Sequence, residues 1–375
     1  MNELRAFYNS TDICKVSKTD GYYIHFEDGS KEFDFQSGGL SFICGQGNAE
    51  IVEGLEDALV QVSRSQSSKG HYTDSIITAG EILNQGFWHS HSWALSGTNA
   101  VESAISMSDA YWKELGENKP HIVSFPFTWH GSSYLTKSLG VPELMSHVSD
   151  RVRHATEETL DQILDENQVG CIIFETSRYV NGVRPWPKSF WKRIRDICDE
   201  RNILMITDDV ASCWGRCKSY HTYNMSGYGI QPDISAVGKA LTGGYTPLGA
   251  ALCNSKVGEV ISKPGVWRYP GTWQPSMVGI HLMINTYRYM QERNLIGASY
   301  IIEENLIKLG NRLLEKEIID DYRVHGTFFA FDLKQSVKGV GYSSTKSNTN
   351  TIKGMAPLIA NEEYFKELEQ HVYQS

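Results

Sequence analysis

Lys239 sits in the run Pro232-Asp233-Ile234-Ser235-Ala236-Val237-Gly238-Lys239-Ala240-Leu241-Thr242-Gly243-Gly244, downstream of an apolar stretch that ends in two acids, Ile203-Leu204-Met205-Ile206-Thr207-Asp208-Asp209-Val210. A lysine desolvated among small residues moves from its usual pKa of about 10.4 toward neutrality, and a neutral amine forms an imine with an aldehyde. A carboxylate at the tip of a buried strand keeps a pyridine nitrogen protonated. The two together suggest the electron sink of a pyridoxal phosphate enzyme. Neither is decisive alone, because most lysines are solvated and an Asp-Asp pair can cap the next turn or pair with Arg216. One of the two carboxylates is expected to face the site.

Ser96-Gly97-Thr98 follows a strand-like Ser92-Trp93-Ala94-Leu95 and precedes an amphipathic helix carrying Val101, Ala104, Ile105 and Ser108. Backbone N–H groups at such a helix start can hold a phosphate, although Ser and Thr are also ordinary N-caps. Trp129-His130-Gly131 follows another strand candidate, and an indole there can stack on a flat ring or simply fill the core. The glycines of Gly45-Gln46-Gly47 lack both the third glycine and the preceding strand of a dinucleotide-binding fingerprint.

The elements that must position these groups alternate. His121–Ser124, Cys171–Phe174 and Ile203–Ile206 read as strands and Ser189–Glu200 as a helix, an α/β organisation with a mainly parallel sheet. A hairpin is expected from Gly21 to Phe35, turning at Glu27-Asp28-Gly29-Ser30, and a helix over Glu50–Val62 with Ile51, Leu55, Leu59 and Val62 on one face. Beyond Pro275 a helix to Glu292, a second over Tyr300–Lys316 and a strand over Thr327–Leu333 suggest a separate C-terminal subdomain. The Ser, Thr, Asn, Gly and Lys rich stretch Lys334–Lys353 reads as a mobile loop.

Of the 375 residues, 41% are apolar, enough for a large core, and the charge of −9 is scattered rather than clustered. That distribution gives no reason to expect nucleic acid or an anionic membrane as partner, and favours small-molecule chemistry. Seven scattered cysteines argue for reduced thiols, and neither Cys213/Cys217 nor His89/His91 makes a credible metal site. With no apolar run near the ~20 residues of a membrane span and no signal-like N-terminus, a cytosolic protein is expected.

In order and wording the segments resemble the class III aminotransferases, the ω-aminotransferase and glutamate-semialdehyde aminomutase group of fold type I. Gly21–Gly45 resembles the family's opening, and Ser96-Gly97-Thr98-Asn99-Ala100-Val101-Glu102-Ser103-Ala104 its S-G-T-E-A-N-E-A-A phosphate segment. Trp129-His130-Gly131 resembles Y-H-G, and Glu175 and Gly182 fall on the Glu and last Gly of E-P-x-x-x-x-x-G. Asp208-Asp209-Val210 through Gly215-Arg216 resembles D-E-V-x-x-G-F-G-R, and Pro232-Asp233 through Gly244 resembles P-D-x-x-x-x-x-K-x-x-x-G-G. Gly271-Thr272 with Gln274-Pro275 resembles a shortened G-T-x-x-x-N-P, and Ala356-Pro357-Leu358-Ile359 is a fainter tail.

The resemblance implies a large domain over 51–291 with a seven-stranded, mainly parallel sheet, and a small α+β domain from 1–50 and 292–375. It implies pyridoxal 5′-phosphate as cofactor, Lys239 as the Schiff-base lysine and Asp208 as partner of the pyridine nitrogen. Ser96, Gly97 and Thr98 would bind the phosphate, Trp129 and Val210 would cover the two ring faces, and His130 and Glu175 would lie against the cofactor. Thr272 would reach the phosphate of a neighbouring subunit, which implies a homodimer. The activity implied is amino transfer from an amino donor to a carbonyl acceptor. The alternatives are an aminomutase, which returns the nitrogen to the same molecule, and a degenerate member that binds cofactor without turnover. Departures fall on the substrate side: Thr176 replaces the family's proline, Asp209 its glutamate, Asn99 its acid and Gly45-Gln46-Gly47-Asn48-Ala49 its G-H-x-x-P. Many members carry an arginine for a substrate carboxylate ahead of P-P-L, and Lys334–Pro357 has none. Arg178, Arg184 and Arg268 are the candidate replacements.

Overall fold

The computed structural model describes residues 14–61, 72–140, 149–222, 229–334 and 350–374. The chain opens with three antiparallel strands, β1 (Val16–Asp20), β2 (Tyr23–Phe26) and β3 (Lys31–Phe33), the last two joined by the turn expected at Asp28-Gly29. The helix expected over 50–62 is instead two short helices, Ala49–Val52 and Leu55–Gln61. Gly54 separates them in the left-handed region at φ +70°, which stops the first helix where apolar spacing alone would carry it on. Val62 lies outside the described residues.

The central sheet has seven strands: β4 (Ser90–Ala94), β5 (His121–Ser124), β6 (Val152–His154), β7 (Val169–Glu175), β10 (Leu204–Asp208), β11 (Ile234–Val237) and β12 (Gly249–Cys253), numbered around a two-stranded hairpin β8 (Ser177–Arg178) and β9 (Arg184–Pro185). Their order is β4-β12-β11-β10-β7-β5-β6. The five from β11 to β6 pair in parallel, and β12 runs antiparallel to both of its neighbours. Strands β7, β10, β11 and β12 are buried along their whole length, as their apolar runs require when helices cover both faces. One such helix, Gly97–Glu114, packs Ala100, Val101, Ala104 and Ile105 onto the sheet side of the core.

After the helix Met277–Glu292 comes Leu295–Glu315, which starts earlier than the periodicity suggests because Asn294 turns the chain in the left-handed region at φ +49°. A second antiparallel sheet follows, β13 (Ile319–His325), β14 (Phe328–Leu333) and β15 (Thr351–Met355), closed by the helix Glu362–Gln374. Strand β15 therefore begins inside the stretch read as a loop, and residues 335–349 of that stretch lie outside the described residues. Among the described residues no helix is long and apolar enough to cross a membrane.

Candidate active site

Three parallel strand ends bring the candidate residues to one place. In the sheet register Asp208 lies beside Glu175 of β7 on one side and Ala236 of β11 on the other. Side chains alternate along a strand, so the two acids of the doublet take opposite directions. Asp208 turns toward His130, whose Nδ1 lies 2.8 Å from Oδ2, and its Oδ1 accepts the Val210 N–H at 3.1 Å. Asp209 points into a nest of hydroxyls: Oδ1 accepts from Thr176 at 3.0 Å, from Ser212 at 2.6 Å and from the Thr222 hydroxyl, and Oδ2 accepts the Thr222 N–H at 2.9 Å. Burial pushes the Asp209 carboxyl up to about 6 against these donors. Neither acid bonds Arg216, which is fully buried and donates from Nη1 to the Ala356 carbonyl at 3.2 Å. Thr176, where the family has proline, thus supplies both a donor to Asp209 and a backbone N–H to the Asp208 carbonyl at 3.2 Å.

Lys239 begins the 3₁₀ turn Lys239–Thr242 that follows β11, in the left-handed region at φ +44°. A non-glycine residue held there is strained, a state that persists only when its surroundings fix it. Burial pulls its amine below the usual lysine range, while the charges of Asp208 and Glu175 oppose that shift. Glu175 is pushed the other way, up to about 7, first by burial and then by the Asp208 charge, against the pull of His130, the Trp129 N–H and Lys239. Its Oε2 accepts the Trp129 N–H at 2.9 Å. This orders the backbone of Trp129, whose indole is 44% exposed and so is not a core tryptophan.

Close backbone packing shapes the floor. A Cβ on Gly97 would lie 2.5 Å from Val210 Cγ1, and one on Gly238 would lie 3.2 Å from both Gly97 Cα and Val210 Cγ1. Gly131, at φ +128°, would put a Cβ 2.6 Å from Thr98 Oγ1. Ser96 caps the helix Gly97–Glu114 by accepting the Asn99 N–H at 3.3 Å, so the N-cap reading of Ser96 holds and the first-turn amides of Gly97 and Thr98 have no intrahelical acceptor. Thr98 Oγ1 accepts the Ser132 N–H at 3.3 Å.

Thr272 stands apart on an exposed turn before the helix Met277–Glu292, beside an equally exposed Trp273. Among the candidate arginines, Arg178 lays its guanidinium 3.6 Å from the Trp186 ring centre and donates Nε–H to the Arg184 carbonyl at 2.8 Å. Arg184 and Arg268 are exposed. One cation near this site went unread in the sequence: Lys353 of β15 is only 6% exposed. Its signal was weak, a single lysine between Ile352 and Gly354 in a polar stretch.

The family model for aminotransferase class-III matches residues 7–368. The chain belongs to the class-III aminotransferases. It is 28% identical over 255 residues to the acetylornithine aminotransferase of Aquifex aeolicus, covering 65% of this chain and 66% of that protein. It is 27% identical over 297 residues to ornithine aminotransferase 1 of Staphylococcus saprophyticus, covering 73% of this chain and 72% of that one. The chain spans less than two thirds of the length of several other relatives it matches, for example 57% of an aminotransferase of Gibberella zeae. In fold it is similar to a transaminase from the marine bacterium Virgibacillus, with a TM-score of 0.88 at 21% identity over 96% of this chain and 92% of that one. It is similarly close to a PLP-bound amine transaminase from an uncultivated Pseudomonas species, TM-score 0.87 at 19% identity over 100% and 97%. The α/β fold with its seven-stranded sheet is thus that of the fold type I transaminases.

Proposed function

We propose that this chain is a pyridoxal phosphate-dependent aminotransferase that moves an amino group from a small amino donor to a carbonyl acceptor. The observation that carries the reading is Lys239 held in a strained turn at the end of β11, with Asp208 at the tip of the neighbouring strand and its charge acting on the lysine amine. The residues present fit the cofactor. The glycines at 97, 131 and 238 leave room where a side chain would collide, and a helix start carrying Thr98 suits a phosphate. When bound, pyridoxal phosphate supplies an aldehyde for the donor's nitrogen and a protonated ring that draws electrons from the donor's carbon.

The chain's own groups do the rest. Lys239, whose ammonium form is disfavoured by burial, would be the residue that holds the cofactor's aldehyde and the base that would take the proton from the donor's carbon. Asp208 would keep the cofactor's ring nitrogen protonated, and His130 and the Val210 N–H orient its carboxylate for that task. Ser96, Gly97 and Thr98 would hold the phosphate, while Trp129 and Val210 would cover the ring faces. Glu175 fixes the Trp129 backbone and borders the substrate side. Thr272, exposed in the single chain, serves the phosphate of a second copy in a homodimer. A reducing cytosol suits the unpaired thiols of Cys44, Cys171, Cys198, Cys213, Cys217 and Cys253, all buried.

The test is chemical. Protein purified with pyridoxal phosphate should absorb in the visible, borohydride should fix the adduct on Lys239 in a peptide map, and sedimentation should give twice the chain mass. Lys239→Ala should lose multiple turnover. An adduct on another lysine, or wild-type turnover by Lys239→Ala, refutes the assignment.

A further inference from the structure

A guanidinium carries five N–H donors on a rigid plane, and burying it without an anion or a set of acceptors is costly. Arg216 has no exposed surface, yet among the described residues it makes one hydrogen bond, from Nη1 to the Ala356 carbonyl at 3.2 Å. Nε and Nη2 are both without a partner. These two atoms form one edge of the plane, the parallel fork that arginine offers to anions. Burial pulls the guanidinium down to about 10, so it is still charged at neutral pH.

Hydrogen bonds fix a further donor beside it. The Arg216 carbonyl accepts the Thr327 N–H at 2.9 Å, the Thr327 carbonyl accepts the Ala356 N–H at 2.9 Å, and the Ala356 carbonyl meets Nη1. This closed ring holds Thr327 against the arginine. The Thr327 hydroxyl is fully buried and unpartnered, and so is the phenol of Tyr364, on which the Arg216 charge acts.

The described residues do not supply the missing negative charge. Burial pushes the thiols of Cys44, Cys213 and Cys217 up, Cys44 to about 12, and raises the Tyr364 phenol well above its usual value, so all four keep their protons. Asp34 feels the Arg216 charge only at a distance. Its Oδ1 accepts the Gln36 N–H at 3.0 Å, and its Oδ2 accepts the Gly38 N–H and the Gln46 amide at 2.6 Å. A water molecule could meet the fork but would leave its charge unbalanced.

We propose that the Nε–Nη2 edge of Arg216 and the Thr327 hydroxyl bind a buried chloride ion. A halide needs donors alone, balances a single guanidinium and has no body that must reach solvent, which matches donors with no exposed surface. The ion would sit where the loop after Asp208-Asp209 meets the turn between β13 and β14 and the tail after β15, pinning the C-terminal sheet to that loop. The proposal does not depend on the amino-transfer reading.

The experiment uses the full chain. Urea unfolding is followed over a chloride titration, with methanesulfonate holding ionic strength constant. Once chloride exceeds its dissociation constant, each ten-fold increase should multiply the folded-to-unfolded ratio by about ten, as for one ion bound only by the native state. Arg216→Met should flatten this dependence. Thr327→Val should move it to about ten- to a hundred-fold higher chloride, as for one hydrogen bond to a charged group. Crystals of wild type grown in bromide should show an anomalous peak within hydrogen-bond reach of Nε and Nη2. A water at that position, a stability independent of chloride in wild type, or an unchanged dependence in Arg216→Met would each overturn the proposal. Displacement of the bromide by butanoate would overturn it too, because the fork would then be a carboxylate subsite. If Arg216→Met does not fold, Thr327→Val and the bromide crystals decide the question.

Discussion

Glu175→Gln should make the cofactor-free protein more stable at neutral pH, and the gain should depend on pH in a way the structure fixes. Glutamine keeps the oxygen that accepts the Trp129 N–H at 2.9 Å but removes the charge. In the native protein this carboxyl is pushed from its usual 4.5 up to about 7, chiefly by burial. Below pH 4.5 both native and unfolded chains hold the proton, and the group contributes its full share of stability. As pH rises from 4.5 toward 7 the unfolded chain has lost a proton the native chain keeps, so stability falls with pH, and the loss is complete once pH passes the native value. At about 1.4 kcal/mol per factor of ten, that window is worth about 3 kcal/mol. The glutamine variant should therefore match wild type near pH 4.5 and exceed it by about 3 kcal/mol, or a few degrees in midpoint, by pH 8. Asp209, pushed up to about 6, adds a slope of the same sign to both proteins and cancels in the difference. Urea unfolding of the two proteins at pH 5, 6, 7 and 8 measures it. Parallel profiles over that range would refute the claim that burial holds a proton on Glu175.

Gly97→Ala places a methyl 2.5 Å from Val210 Cγ1, so Val210 must move toward the space assigned to the ring. Cofactor affinity, measured by absorbance titration, should fall about ten-fold or more with a stability loss of no more than about 1–3 kcal/mol. Trimming the neighbour in the double variant Gly97→Ala/Val210→Ala should restore part of it. Thr176→Val removes one hydroxyl from the Asp209 nest, with Ser212 and Thr222 still donating, and should cost about 1–3 kcal/mol in urea unfolding. A cost below about 0.5 kcal/mol would show that the remaining donors suffice.

The parts of the site that were legible are those whose pattern is local. Lys239 stands among Ala236, Gly238 and Gly243 within a few residues, and the acids of Asp208-Asp209 end an apolar run that can only be a buried strand, so both could be read from short windows of sequence. What depends on pairing between distant segments could not. Strand β12, Gly249-Ala250-Ala251-Leu252-Cys253, has little strand propensity of its own and is extended because β4 and β11 enclose it. Lys353 is buried because Ala330 lies opposite it, a pairing that no window of sequence contains.

The Asp208-Asp209 doublet shows how the two kinds of information combine. The sequence permitted either carboxylate to face the site, and two-residue alternation ensures that only one can. Which one is decided by donors elsewhere in the chain. The hydroxyls of Thr176, Ser212 and Thr222 converge on the Asp209 side of β10, while His130 waits on the other. Slipping β10 by one residue against β7 would exchange the two acids, placing Asp209 beside His130 and Asp208 among hydroxyls fixed for another register. The hydroxyl nest therefore works as a register lock, and Thr176, a departure from the family's proline, is one of its teeth. Proline could supply neither the hydroxyl to Asp209 nor the N–H that meets the Asp208 carbonyl at 3.2 Å, so in this chain the substitution strengthens the hold on the acid that the proposed chemistry uses.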